Sequence, residues 1–391
     1  MELRDVRIED SPEPGHARLR GIVQYETGDR ASEEYWFAVP ARHAPALSAS
    51  GNAWLACLLP LAATLAEPLR IPLPVDRALL ANAERLLRIW QAWYPHLAVV
   101  PVAADIAQPA PRSAVTRGAA FFSGGVDSFF TLLRDRDTAP PAERRPIAEL
   151  IAVHGFDIPL GRAAAFERLR DRLARVADAL GRDLLEVATN LRSTRWSAAQ
   201  WSHLAHGAGL AAVALALESR FDTVYIAGGG GYRGLHPWGS HSVTDPLFST
   251  GHTAIVYDAV AYLRTEKIER IAESPLVHDA LHVCYELETD ANCGVCHKCL
   301  RTMLTLDICG SLGRCTTFPR DSFDLEQVAR MDCSHFADAR EFEDIRRFAV
   351  ARGRPDVARA IDRSVASSRR RMRLRNGLRW IRRIPARLRG R

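Results

Sequence analysis

Ala119-Ala120-Phe121-Phe122-Ser123-Gly124-Gly125-Val126-Asp127-Ser128-Phe129-Phe130-Thr131-Leu132-Leu133 is the stretch on which the fold of this chain turns. Four apolar residues stop at a serine and two glycines, and a second apolar run with one acid follows. That is the pattern of a buried strand turning directly into a helix. Glycines in such a turn let the backbone take conformations closed to other residues and bring N–H groups close to an anion, and the helix N-terminus adds partial positive charge. Ser123 and Ser128 can add hydroxyl donors. Asp127 cannot donate to a phosphate, so it either caps the helix or holds Mg²⁺ that bridges phosphates. Two glycines between a strand and a helix are common; five specified residues in this context arise by chance about once in a few thousand chains of this length. No Gly-Lys-Ser/Thr follows, which excludes a Walker loop.

Outward from this loop, apolar strand candidates recur at Ala119 to Phe122, Leu150 to Val153, Leu184 to Ala188 and Thr223 to Ala227, with helical stretches Ala163 to Leu180 and Gly207 to Glu218 between the later ones. Continuous apolar strands alternating with helices predict right-handed crossovers and a parallel α/β sheet covered on both faces. Ligands of such sheets bind beyond the carboxyl ends of the strands. Three of those ends are polar or glycine-rich: Ser123-Gly124-Gly125, His154-Gly155-Phe156-Asp157 and Gly228-Gly229-Gly230-Gly231.

The Ser-Gly-Gly-Val-Asp-Ser loop resembles the PP-loop of the N-type ATP pyrophosphatases, the adenine nucleotide alpha hydrolase-like superfamily. The resemblance implies a doubly wound parallel sheet of the HUP or Rossmann-like type, and cleavage of ATP to AMP and pyrophosphate. By it, Ser123, Gly124, Gly125, Val126, Asp127 and Ser128 hold the β- and γ-phosphates of ATP with Mg²⁺, Asp127 and Ser128 being the catalytic pair. His154 matches the family's adenosine region in position only. Gly228 and Gly229 are the corresponding candidates after the fourth strand.

Eight cysteines are present; Cys57, Cys309, Cys315 and Cys333 are scattered and read as buried structural thiols, whereas Cys284, Cys293, Cys296 and Cys299 crowd into sixteen residues. Four soft thiolates with this spacing fit one tetrahedral ion, Zn²⁺ by preference; the alternatives are an iron–sulfur cluster or four unrelated core cysteines without a metal. Four cysteines in this order after a PP-loop domain resemble the 7-cyano-7-deazaguanine synthase family. That resemblance covers roughly residues 118 to 304 and implies an enzyme that adenylates a small-molecule carboxylate for attack by ammonia. Lys298 and Arg301, beside the cysteines, either stabilise charge on the α-phosphate or form the solvated face of the zinc helix.

In the long loop after the fourth strand, Arg233, His236 and His241 are candidate phosphate or substrate contacts, Trp238 a stacking platform, and Asp245 a reader of a base edge or a metal ligand. The alternative is a surface loop with incidental polar residues. His206, before Gly207, is either a nucleotide contact or a helix cap.

Residues 1 to 110 carry strand runs Arg20 to Glu26 and Glu34 to Val39 and helical runs Ala53 to Glu67 and Arg77 to Trp93, predicting a smaller α+β domain. The Pro/Ala-rich stretch Gln108 to Ser113 reads as a linker. A PP-loop domain at 117–280, a zinc segment at 281–310, a helical region at 311–362 and an arginine-rich tail at 363–391 complete the expected organisation. The apolar run Ala53 to Ala66 is too short and, with Pro60, too broken to span a bilayer. The charged N-terminus does not resemble a signal peptide, so the expected location is cytoplasmic.

Net charge is +6, but residues 363–391 hold twelve arginines and no acid, leaving −6 for the rest. In the tail Leu374, Leu378, Ile381 and Leu388 recur at helical spacing, interrupted by Pro385. Such a segment lies on an anionic membrane, making the protein peripheral to it, binds nucleic acid, docks on an acidic partner, or stays solvated. Self-association as a homodimer is the remaining partner expectation. Two alternatives stay open beside the ligase reading. One is a PP-loop enzyme acting on tRNA or on a protein- or glycan-linked acid; the other is a non-catalytic zinc-containing binding module.

Overall fold

The computed structural model describes residues 1–26, 32–108, 117–134, 147–229, 231–319, 323–332 and 336–383, with side chains described in this last stretch only for 340–372. Most of the expected linker at 108–113, Gly230, Cys333 and the last eight residues of the tail therefore lie outside the described residues. The chain forms two compact units, Met1–Tyr262 with Glu288–Asp290, and Leu263–Leu287 with Ala291–Arg391.

The first unit is built on one ten-stranded sheet. Its strands are β1 (Glu2–Asp10), β2 (His16–Gln24), β3 (Ser32–Pro40), β4 (Leu69–Val75), β5 (Val102–Ile106), β6 (Gly118–Phe121), β7 (Ile147–His154), β8 (Asp183–Thr189), β9 (Thr223–Ala227) and β10 (Ala254–Asp258), in the order β10-β9-β6-β7-β8-β3-β2-β1-β4-β5. Strands β6 to β10 are mutually parallel. The chain runs from β6 outward through β7 to β8, then crosses back to β9 on the other side of β6 and continues to β10. This reversal beside β6 is the topological switch point of a Rossmann-like sheet.

The expected boundary at about residue 110 falls within this unit, because the N-terminal strands extend the same sheet. β1, β2 and β3 form an antiparallel meander, and β3 joins β8 antiparallel through Phe37 opposite Thr189 and Ala38 opposite Ala188. Asn190 prolongs the seam with its side chain: its Oδ1 accepts from the Trp36 N–H at 3.0 Å and its Nδ2 donates to the Glu34 carbonyl at 2.8 Å. An asparagine amide has a donor and an acceptor placed like a peptide's, so it replaces one rung of the ladder.

Helices α1 (Asn52–Leu65), α2 (Arg77–Trp93), α3 (Val126–Leu133), α4 (Ala163–Ala179) and α5 (His206–Ala216) flank the sheet strands in sequence. Twelve of the fourteen α1 residues are buried, from Asn52 to Ala63, as its uniformly apolar sequence requires. It packs along the alanine-rich α5, whose small side chains permit a close approach. Pro60 interrupts the hydrogen-bond ladder of α1, and one turn upstream the Trp196 indole N–H donates to the Cys57 carbonyl at 2.7 Å. One apolar core runs through residues of both halves, including Phe37, Trp54, Leu58, Ile151, Leu185, Ala212 and Ile226.

The second unit is helical: α6 (Arg264–Ile271), α7 (Pro275–Ala280), α8 (His297–Ile308), α9 (Leu325–Arg330), α10 (Phe336–Ala351) and α11 (Pro355–Arg383). Leu300 and Leu304 of α8 share a core with Val328, Phe342, Ile345, Val357 and Ile361. The expected zinc segment and C-terminal helical region thus form one unit, and α11 runs through the expected boundary at 362. Among the described residues no helix is long and apolar enough to cross a membrane.

Candidate functional site

The Ser-Gly-Gly turn leaves the carboxyl end of β6 at the switch point, between the crossovers to β7 and β9. Gly124 has φ of 74°, a left-handed conformation that a side chain disfavours. Helix α3 starts from Gly125, and no side chain caps it. A helix begun in this way offers its first-turn N–H groups to an anion. Ser123 is exposed, whereas Ser128 is buried and its hydroxyl donates to the Gly125 carbonyl at 3.0 Å. Ser128 therefore rigidifies the turn. Asp127 stands half-buried in the first turn of α3, and Gly125 occupies the N-cap position.

Beneath the loop, α3 is fastened to β10. Thr131 Oγ1 and Arg134 Nη2 each donate to a different Asp258 carboxylate oxygen at 2.7 Å, all three side chains being buried. Sequence reading missed this trio, since no motif spacing links residues so far apart. A second cluster, the buried Glu149 with the more exposed Arg117 and Arg220, lies towards the amino ends of the strands, where both guanidinium groups donate to the one carboxylate.

The glycines after β9 divide by role. A Cβ on Gly228 would lie 2.4 Å from the Tyr257 ring and 2.6 Å from the Asp258 carbonyl, so close packing on β10 explains this glycine, whereas Gly229 has open space around it. His154, at the end of β7, stacks on Phe166 with centroids 4.4 Å apart, and its Nε2 meets the Pro159 carbonyl at 3.1 Å. Burial holds its imidazole below the usual range, so it is a neutral ring fixed in the wall.

Among the loop candidates, Asp245 is fully buried and points inward. Its carboxylate accepts from the Ser240 hydroxyl at 2.6 Å, the His241 N–H at 2.9 Å and the Thr244 hydroxyl at 3.2 Å. A Cβ on Gly207 would come within 2.2 Å of that carboxylate, so Gly207 is the close-approach residue that lets the loop seat on α5. The expected reading of a base edge or a metal by Asp245 is therefore replaced by an internal clamp. Burial pushes its carboxyl up to about 7 despite the three donors.

The sign follows from the raised value: the folded state holds the proton more tightly than the unfolded chain. This contribution to stability is full below pH 4 and is lost as pH rises through about 7, by at most about 4 kcal/mol. In urea melts from pH 4 to 8 the parent is expected to lose stability relative to Asp245→Asn, whose amide stands in for the protonated acid and does not titrate.

His241 is also buried, edge-on to Trp93 at 4.9 Å, and burial followed by the neighbouring His236 lowers its pKa. Trp238 and His236 remain half-exposed with ring centroids 5.7 Å apart, and His203 lies 5.4 Å from Trp238. Arg233 is exposed. His206 opens α5 against the Trp201 ring at 4.5 Å. Trp201–Ala205 is a π-helical turn entered from Gln200 at φ of 48°. Sequence periodicity carries no signal for such a turn, yet π-turns and strained residues of this kind gather at functional sites. Trp93 and the adjacent Tyr94 bring the N-terminal region into the same wall of rings, Tyr94 lying 6.5 Å from His203.

The four clustered cysteines come together in the second unit. Their sulfurs all lie within 4.8 Å of one another, and those of Cys293 and Cys299 are 3.8 Å apart. A disulfide would need about 2.05 Å. A tetrahedron with metal–sulfur bonds of about 2.3 Å has edges of about 3.8 Å, so the donor set fits Zn²⁺. Gly294 at φ of 73° closes the turn that lets the Val295 and Cys296 N–H groups donate to Cys293 Sγ at 3.5 and 3.2 Å. Cys296 caps α8, accepting from the Cys299 N–H at 3.4 Å. The Cys299 thiol's hydrogen bond draws the Cys296 thiol down to about 5 against its burial, and the donor itself is pushed up.

Asn292, unremarked in the sequence, braces this centre. Its buried amide accepts from the Val283 and Cys284 N–H groups at 2.8 and 3.1 Å and donates to the Leu281 and Thr317 carbonyls at 2.9 and 3.2 Å. It fixes the backbone of the one ligand remote from the knuckle. Asn292→Ala is expected to weaken zinc affinity about 10–100-fold in a chelator competition, as loss of an outer-shell brace does. Lys298 and Arg301 also belong to this unit: Lys298 Nζ lies 5.3 Å above the Tyr285 ring, and Arg301 Nη1 is 2.5 Å from Glu341.

The fold and sites thus define a mixed α/β protein with a ten-stranded, mostly parallel sheet compatible with a Rossmann-like fold, and a four-cysteine cluster that could hold a metal ion. No protein-family model, no curated protein and no solved structure matches the chain.

Proposed function

We propose that the protein is an ATP pyrophosphatase of the PP-loop type that adenylates a carboxylate. The observation that carries this reading is the placement of Ser123-Gly124-Gly125-Val126-Asp127-Ser128 at the switch point, as an uncapped helix start with a left-handed glycine. The first-turn N–H groups and the Ser123 hydroxyl would hold the β- and γ-phosphates. Asp127 would hold Mg²⁺, which supplies charge neutralisation on the departing pyrophosphate. Ser128 acts through the loop, keeping its geometry. The rings of Trp238, His203 and His236 at the carboxyl side of β8 and β9 would receive the acid to be activated, and ammonia or another nitrogen nucleophile would then open the acyl-adenylate. Four protein thiolates leave no open coordination position, so Zn²⁺ in the cysteine centre would stabilise the fold of the second unit and take no part in the chemistry.

Incubating the protein with ATP, Mg²⁺, an ammonium salt and a panel of carboxylates should yield AMP and pyrophosphate in equal amounts. ADP as the sole nucleotide product would refute the reading.

A further inference from the structure

The first half of α11 is part of the second unit's core: Val357, Ala360, Ile361, Ser364 and Ser368 are buried. The Ser364 hydroxyl and Arg371 Nη2 both donate to the Met331 carbonyl, at 3.1 and 2.8 Å. The helix does not stop there but continues to Arg383. Residues 369–383 hold eight arginines and no acid, and the remainder of the chain to residue 362 carries −6. At 100° per residue, positions 374, 378 and 381 fall within an arc of about 60°. Those positions are Leu374, Leu378 and Ile381, and Arg370 and Arg382 border them.

We propose that this extension of α11 seats the protein on an anionic lipid bilayer. A basic helix that engages phosphates alone needs no apolar stripe. A helix lying in the headgroup layer needs one, with arginines along its margins. The opposite charge of the body orients the approach, tail towards an anionic surface and body away from it.

The full chain is expected to sediment with phosphatidylcholine vesicles containing phosphatidylglycerol at least about 100-fold more tightly than with phosphatidylcholine alone at low salt. The preference should fall steeply as ionic strength rises. Leu378→Gln combined with Ile381→Gln keeps every charge and should weaken binding at least about tenfold, at about 0.8 kcal/mol per withdrawn methylene. Binding by this double variant equal to the parent's would overturn the proposal. So would a parent that ignores both vesicle types, or one that binds duplex RNA in preference to anionic vesicles.

Discussion

Asp127→Ala should lower pyrophosphate release by at least about 10²–10³-fold while leaving the melting temperature and zinc content nearly unchanged. The two halves of this expectation have separate physical origins. Asp127 sits half-buried in the first turn of α3, and the N-cap position itself is taken by Gly125. An acid in a first turn contributes only about 0.3–1 kcal/mol through the helix dipole. A carboxylate that holds Mg²⁺ against a pyrophosphate leaving group acts on far more of the barrier. Initial rates of pyrophosphate formation, beside a thermal melt of the same sample, separate the effects. Full activity in the variant would remove Asp127 from the mechanism.

Cys299→Ser is the second change with a large expected effect, and it acts on the other unit. Cys299 is fully buried, its sulfur is one vertex of the candidate tetrahedron, and its N–H donates to Cys296. A serine oxygen is a poor fourth ligand for zinc. Structural zinc contributes about 10–16 kcal/mol of apparent free energy in small domains, comparable to the whole stability of a typical domain at about 5–15 kcal/mol. The variant should therefore lose stoichiometric zinc, and its second unit should unfold well below the parent's transition. Metal analysis by atomic absorption and a two-transition calorimetric scan test this together. A variant that keeps one zinc and the parent's transitions would show that the four sulfurs are not the site.

The parallel half of the sheet was legible because buried strands read as continuous apolar runs and their loops as glycine clusters. β6, β8 and β9 fall within a residue or two of the expected stretches, and α2 has the expected bounds. β1 was not legible: its outer face is closed by ion pairs, Arg18 with Glu9 and Glu34 and Arg20 with Glu34, so charged residues stand where an apolar alternation was sought. β4 was hidden by Pro72 and Pro74, which the sheet tolerates through an irregularity between Ile71 and Pro74. Among site residues, the glycine loop and the cysteines carry their signal in spacing. Asn292, Thr131 and Asp258 carry none, because what matters about them is which backbone or side chain the fold brings near. Asp245 misled for the converse reason: a lone acid in a glycine-rich loop resembles a ligand contact until its burial is known.

The short β3–β8 seam bears on how the molecule can be divided. The two residue pairs and the Asn190 amide are what close the outer side of β8, the last parallel strand. A fragment beginning near Gly118 would retain the Ser-Gly-Gly loop but expose a bare strand edge, along with the α5 surface that α1 covers. Such an edge recruits other chains, so the shortened protein would be prone to aggregate. Residues 1 to 106 thus serve the glycine loop at a distance, by covering the edge of the sheet that carries it.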